Sequence, residues 1–373
     1  MDSFIPVSEP LLNGNEKKYL CECIDTGWIS SEGPFVQRLE KEFAEFSGQR
    51  YGNCVSNGTV AIELLIKAMK EEYNWQNDDE IIMPSFTIIS SAQGVIYNKL
   101  KPVFIDSEEL TWNMDTKKIE ELITPKTQAI MPIHIYGLPT DMNPIFEIAK
   151  KYNLKIIEDA AQSHGQKYYD KVCGGMSDAS TFSFYANKHI AAGEGGIILT
   201  SSDSLNEKIH YYRNLCFTKE RFIHEDLGWN FRMSNLQAAV AYAQFEQLDF
   251  FIEKKKKMGQ IYNEALKNLP LKLPCPKTQY SENNYWVYGI VLNDDVSFDA
   301  KEARKKLAEL GIGTRPFFYP MHKQPALIKL GITDDINRPV SEKLYEKGFY
   351  IPSGLGLTES HQETVIKKLK TIF

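Results

Sequence analysis

The sequence predicts an α/β fold: a large, mostly parallel sheet domain with helices on both faces, plus a smaller C-terminal α+β domain. Three observations lead there. From about residue 35 to 245, helix-period segments alternate with short β-rich runs, and strands separated by helices of about ten to fifteen residues imply parallel pairing. A long helical pattern opens at Ser234, and Pro270, Pro274 and Pro276 mark the break after it. The remainder ("YWVYGIVL", "DAKEARKKLAELGI", "TVIKKLKTIF") carries fewer, more scattered elements. The expected organisation is an N-terminal arm over 1–30, a large domain over 31–245 and a small domain over 246–373.

Each element has a local reason. "FVQRLEKEFAEFSG" is amphipathic and stops at Gly48, as a helix closing on a left-handed residue should. A strand then leads through Ser56-Asn57-Gly58-Thr59 into the helix "TVAIELLIKAMKEEY". The strands "EIIMPS", "KPVFID" and "QAIMPIH" follow. Next come the helix "NPIFEIAKKYN", with Asp141 and Asn143 ahead of Pro144, and the strand "LKIIEDA". "STFSFYA" and "GGIILTS" add two more strands. Ser234 followed by Gln237 makes a capping box, and the helix it opens reads without interruption to Leu269 as a connector between domains.

Composition narrows the function. The chain has 373 residues, 43% hydrophobic and 25% charged, with a formal charge of −6. That balance argues against a nucleic-acid partner, which calls for a basic domain or stripe. The basic run Lys254 to Lys257 reads as a solvated helix face. Six cysteines (21, 23, 54, 173, 216 and 275) show neither a CxxC pair nor metal spacing, so buried thiols and no metal are expected. "MDSFIPVSEP" has neither a basic start nor an apolar core, and no apolar run approaches the ~20 residues that cross a bilayer. The expectation is a cytoplasmic chain without a membrane partner. A nicotinamide enzyme would want GxGxxG opening a helix, but "GEGG" leads into a strand.

Four features stand at strand or helix ends, where ligands of such sheets bind. Ser56-Asn57-Gly58-Thr59 begins a helix, and its backbone N–H groups with adjacent hydroxyls suit a phosphate, although an N-cap turn explains them equally. Asp159 ends the apolar strand "KIIED" with Gln162 three residues on; an isolated carboxylate there needs a cation or donors. In "STFSFYANK", Ser183 shares one face with Thr181 and Tyr185, and Lys188 follows the strand. In "MPSFT", Phe86 is either core or a ring that stacks on a flat ligand. Together these are what pyridoxal 5'-phosphate needs: a phosphate cradle, a covering ring, a carboxylate for the pyridine nitrogen and a lysine for a Schiff base.

The segments "GWISSEGPFVQRLEKEFAEFSG", "SNGTVAIELL", "MPSFT", "IEDAAQSHG", "FSFYANKHIAAGEGG", "NFRMSNLQAA", "RPFFYPMH" and "IPSGLGLTE" cover nearly the whole chain. In this order they resemble the DegT/DnrJ/EryC1/StrS sugar aminotransferases, pyridoxal-phosphate enzymes of the aspartate-aminotransferase fold. The resemblance implies that Lys188 carries the cofactor, Asp159 pairs with its ring nitrogen and Gln162 contacts its ring hydroxyl. It further implies phosphate contacts from Gly58, Thr59 and Ser183, stacking by Phe86, and a phosphate contact from Asn235 of the other subunit of a homodimer with shared active sites. Related dehydratases carry histidine where Lys188 stands, so the resemblance implies transamination.

L-glutamate is the implied amino donor. "GTRPFFYPMH" and "GWISS" most resemble the GDP-perosamine synthase branch, which aminates C4 of GDP-4-keto-6-deoxymannose for surface polysaccharide. By that analogy Trp28, Ser30, Arg315, Tyr319 and His322 are expected substrate contacts. Gln162 stands where that branch more often has an acid, which leaves open another keto-sugar nucleotide or a small phosphorylated ketone such as dihydroxyacetone phosphate. A non-catalytic pyridoxal-phosphate-binding regulator would normally add a DNA-binding module, and no basic helix-turn-helix segment stands at either end.

Overall fold

A computed structural model describes residues 4–220, 222–333 and 336–373. Helices α1 (Glu16–Thr26) and α2 (Pro34–Ser47) open the chain. Gly48 ends α2 at φ +78°, the left-handed region its sequence position predicts. The alternating region then gives β1 (Tyr51–Val55), α3 (Gly58–Glu72), β2 (Glu80–Pro84), α4 (Ile89–Tyr97), β3 (Lys101–Ile105), β4 (Thr127–Ile130), α5 (Met142–Tyr152) and β5 (Lys155–Asp159). A short hairpin of β6 (Lys167–Tyr168) and β7 (Lys171–Val172) precedes β8 (Ala179–Ser183), β9 (Gly196–Thr200) and α6 (Asp203–Arg213).

Seven of these strands form one sheet in the order β1-β9-β8-β5-β4-β2-β3. Ladders among β8, β5, β4, β2 and β3 are parallel, while β9 runs antiparallel to both β8 and β1. Both faces are apolar. Along β2, Ile81 and Met83 pack with α3 in one cluster, whereas Ile82 joins Ile130, Ile145 and Ile148 in another. Alternate residues of a strand point to opposite faces, so a continuous apolar run is what a doubly covered sheet requires.

Helix α7 (Asn235–Phe245) carries the predicted Ser234/Gln237 capping box. The long connector, however, is two helices: α7 ends, and α8 (Leu248–Leu266) restarts after Glu246 and Gln247. The Glu246 carboxylate accepts from Tyr19 Oη on α1 at 2.7 Å and from Asn15 Nδ2 at 2.8 Å, which ties the turn to the N-terminal segment. Neither glycine nor proline marks the break. The expected solvated face of α8 is also corrected at one position, since Lys255 is buried and donates to the carbonyls of Trp286 (3.0 Å) and Ser353.

Beyond α8, strands β10 (Leu271–Lys272), β11 (Tyr288–Leu292), β12 (Arg315–Pro316) and β13 (Gly348–Ile351) form an antiparallel sheet in the order β10-β11-β13-β12. Helices α9 (Ala300–Glu309), α10 (Pro325–Lys329), α11 (Pro339–Lys347) and α12 (Glu359–Ile372) accompany it. No described helix is long and apolar enough to cross a membrane. All six cysteines are free; five are buried and Cys21 is exposed.

Candidate functional site

The carboxyl ends of β1, β5 and β8 converge. Asn57 caps α3 by accepting from Val60 N at 3.0 Å, which leaves the N–H groups of Gly58 and Thr59 at the helix start without a backbone partner. Gly58 is required by proximity: a Cβ there would lie 2.6 Å from Cβ of Ser183 at the end of β8. The result is a helix N-terminus set against two hydroxyls, Thr59 and Ser183, a cradle suited to an anion.

Asp159 closes β5 and is buried. Its carboxylate accepts from Ser91 Oγ at 2.8 Å and from Ala161 N at 3.2 Å. Burial raises its pKa above the ordinary carboxylate range, and these donors together with the Lys188 charge offset that only in part. Such a carboxylate lacks a cationic partner of full strength. Gln162, also buried, accepts from Tyr136 N at 2.9 Å through Oε1, so its amide is oriented with Nε2 free to donate among the described residues.

Lys188 lies just past β8, its N–H donating to Tyr185 O at 2.8 Å. The residue keeps some solvent contact, but its amine is surrounded by protein and sits 3.7 Å from the centroid of the Trp286 ring. Burial lowers the amine's pKa to about 7, while the Asp159 carboxylate pulls the other way. Near neutrality a large share of this lysine is therefore the uncharged, nucleophilic form. Trp286 was not foreseen. Its Nε1 donates to Asn187 O at 2.8 Å and its carbonyl is held by Lys255, so it is clamped over the lysine's turn.

Phe86 follows β2 fully buried, with ring centroids of Tyr136, Phe317 and Phe318 at 5.8, 5.6 and 5.7 Å. Core packing alone accounts for that position; Phe318 is the half-buried member of the group. Two expectations are corrected. Asn235 is completely buried and saturated within its own chain: Oδ1 accepts from Phe35 N at 2.9 Å, and Nδ2 donates to Trp28 O (2.7 Å) and Cys23 Sγ (3.2 Å). No donor remains for a phosphate, and the side chain instead shapes residues 28–35. His322 is buried too, with Nδ1 2.7 Å from Ser85 Oγ and Nε2 3.0 Å from Glu342 Oε1. Both ring nitrogens are engaged, so it fastens the end of β2 to α11 and offers nothing to a substrate.

The other expected substrate residues lie open. Trp28 is 50% exposed, Ser30 and Arg315 are exposed, and Tyr319 packs edge-on to Tyr345 at 4.7 Å while remaining exposed. One buried trio, His134, Glu158 and Cys173, has the spacing of metal ligands. Glu158 already accepts from His134 Nε2 (3.1 Å), Gly174 N (2.7 Å), Met176 N (3.1 Å) and Ser177 Oγ (2.8 Å), so its oxygens are occupied by donors.

Comparison with known proteins agrees with this geometry. The model of the DegT/DnrJ/EryC1/StrS aminotransferase family matches residues 10–370. GDP-perosamine synthase of Caulobacter vibrioides is 39% identical, with 99% of this chain and 98% of that protein covered. Among solved structures, Helicobacter pylori PseC, an aminotransferase involved in the biosynthesis of pseudoaminic acid, superposes with a TM-score of 0.93 at 23% identity, covering 100% of this chain and 99% of that one. The E. coli GDP-4-keto-6-deoxy-D-mannose-3-dehydratase with bound hydrated PLP gives 0.89 at 22% identity, covering 98% and 100%. The free helix start, the desolvated lysine and the buried aspartate fit pyridoxal phosphate, and the chain belongs to the DegT/DnrJ/EryC1/StrS family of pyridoxal-phosphate-dependent aminotransferases.

Proposed function

We propose that this enzyme moves an amino group from L-glutamate to C4 of GDP-4-keto-6-deoxymannose, working as a homodimer with shared active sites. One observation carries the chemistry: a desolvated amine, Lys188, standing beside a buried carboxylate and a helix start with free N–H groups. Pyridoxal phosphate, when bound, supplies an electron sink for negative charge developing at the donor's α-carbon. Gly58 and Thr59 N–H groups, with the hydroxyls of Thr59 and Ser183, would hold its phosphate. Asp159 would keep a proton on the pyridine nitrogen, and Gln162 Nε2 would donate to the ring hydroxyl oxygen. Phe86 is the ring assigned to the cofactor's face.

Lys188 has the acid–base role. Its neutral Nζ would take the proton from the donor's α-carbon and, with the keto substrate in place, would deliver one to the carbon that receives the amine. Trp286 covers Nζ and keeps bulk water from it. Trp28, Ser30, Arg315 and Tyr319 are assigned to the sugar nucleotide. The similarity to GDP-perosamine synthase over nearly the full chain supports this substrate class, and exposed Ile24, Trp28, Ile29 and Leu227 support a covering partner subunit.

The absorbance spectrum of the purified protein tests the reading. A yellow cofactor band that bleaches on adding glutamate, then returns with GDP-4-keto-6-deoxymannose, is the expected result. Recovery only with another keto-sugar nucleotide, or with dihydroxyacetone phosphate, would replace the substrate. A protein that stays colourless with added pyridoxal phosphate would overturn the reading.

A further inference from the structure

Two arginines of the C-terminal sheet region stand on packed elements, and neither has a carboxylate partner among the described residues. Arg315 on β12 pairs with Tyr350 across the ladder to β13, and α9, which carries Arg304, packs on both strands. Nε of Arg304 is buried and has no hydrogen-bond partner among the described residues. Arg315 is exposed and makes one long bond, 3.4 Å from Nη1 to the carbonyl of Thr314. Burial lowers the pKa of Arg304, and the charge of Arg315 lowers it further; only the phenols of Tyr345 and Tyr350 oppose them.

Their surroundings lead to the cofactor site. Tyr350 stands opposite Arg315 in the ladder, and the charges of both arginines work against the burial that raises its pKa. The Tyr350 ring lies 6.2 Å from that of Tyr136, whose N–H orients Gln162. The pair therefore borders the cofactor pocket from the small-sheet side. Two like charges on packed elements, one with a desolvated donor unmatched, are unfavourable until an anion joins them. Guanidinium forks match oxyanions in two-point geometry.

We infer that Arg304 and Arg315 together form an oxyanion subsite, which holds a diphosphate or carboxylate of the substrate while its reacting carbon lies at Lys188. The inference rests on the aminotransferase reading and adds Arg304 to it. The two anion sources are separable because the donor brings only carboxylates and the acceptor only phosphates.

The test uses the holoenzyme, with inorganic pyrophosphate as a calorimetric probe and each half-reaction followed by absorbance in stopped flow. Arg304→Gln should weaken pyrophosphate binding about tenfold or more, with the cofactor band and limiting rates unchanged. The half-saturating concentration should rise by a similar factor, for the keto-sugar nucleotide if the diphosphate sits there, or for glutamate if a carboxylate does. Arg304→Lys, which keeps the charge and loses the fork, should fall between. Arg315→Gln, at an exposed position, carries the test should the Arg304 variants fail to fold. If pyrophosphate binding and both half-saturating concentrations stay unchanged in Arg304→Gln and Arg315→Gln, the subsite is wrong. A wild-type protein that glutamate does not bleach would overturn the aminotransferase reading, and pyrophosphate calorimetry would still decide the subsite.

Discussion

Two sets of polar groups in this molecule differ in what they leave open. At and just beyond the ends of β1, β5 and β8, the N–H groups of Gly58 and Thr59, the Nε2 of Gln162 and the amine of Lys188 keep hydrogen-bonding capacity unmatched among the described residues. Around Asn235, His322 and Glu158, which are more deeply buried, every strong donor or acceptor is matched within the chain. Buried polar groups are normally satisfied. What sets these strand ends apart is unmatched capacity gathered in several neighbouring groups, since single unmatched atoms such as Ser47 Oγ and Trp112 Nε1 also occur in the core.

Substitutions can break that distinction. Lys188→Ala should lower turnover at least about 10³-fold while thermal stability of the apo protein holds, since an open amine is removed and nothing is orphaned. Asp159→Asn should lower turnover about 10²-fold. Its effect on stability should have the opposite sign. The folded-state pKa is raised, so the carboxylate penalises folding above the unfolded pKa, and the amide relieves that at neutral pH. Denaturant melts of the apo proteins check this. Asn235→Ala belongs to the other group and should cost about 3 kcal/mol, because Phe35 N–H and Trp28 O lose their partner together. Cofactor affinity per folded molecule should stay near wild type; a selective loss of it instead would return Asn235 to the site.

A pH series sharpens the same contrast. Burial disfavours the ammonium form of Lys188, so the reactive amine predominates above about 7 rather than above 10.5. Capture of pyridoxal phosphate by apo protein should therefore rise with pH to a midpoint near 7 and fall about tenfold per unit below it. A midpoint near 10 would mean the amine is solvated. The smallest effect should come from His322→Ala, about 1 kcal/mol of stability through Ser85 and Glu342, with an unchanged half-saturating concentration for the keto substrate.

Much of this was legible in the chain. Apolar runs punctuated by glycine and proline placed the strands of the large sheet, and the residues at their ends are the open ones. Direction was not legible: "GGIILTS" reads as a strand, but nothing local says that β9 runs against its neighbours. The break between α7 and α8 carries no helix breaker, because a distant carboxylate contact supports it. Lys255 hides in a run of four lysines and is buried by tertiary packing that a charge count does not register. Asn235 and His322 were assigned as ligands by resemblance alone, and the partners that occupy them lie far off in sequence, at 23–35 for one and at 85 and 342 for the other. Trp286 reaches Asn187 across a separation of 99 residues.

The reversed strand has a consequence for biosynthesis. β1 sits at the edge of the sheet and its ladder partner is β9, so β1 has no strand to dock on until the ribosome has passed Thr200. The phosphate cradle at Gly58 hangs from β1, whereas the Asp159 half of the pocket belongs to strands made in between. A nascent chain thus builds the ring side of its pocket before the phosphate side is anchored, and cofactor capture waits on the strand that runs the other way.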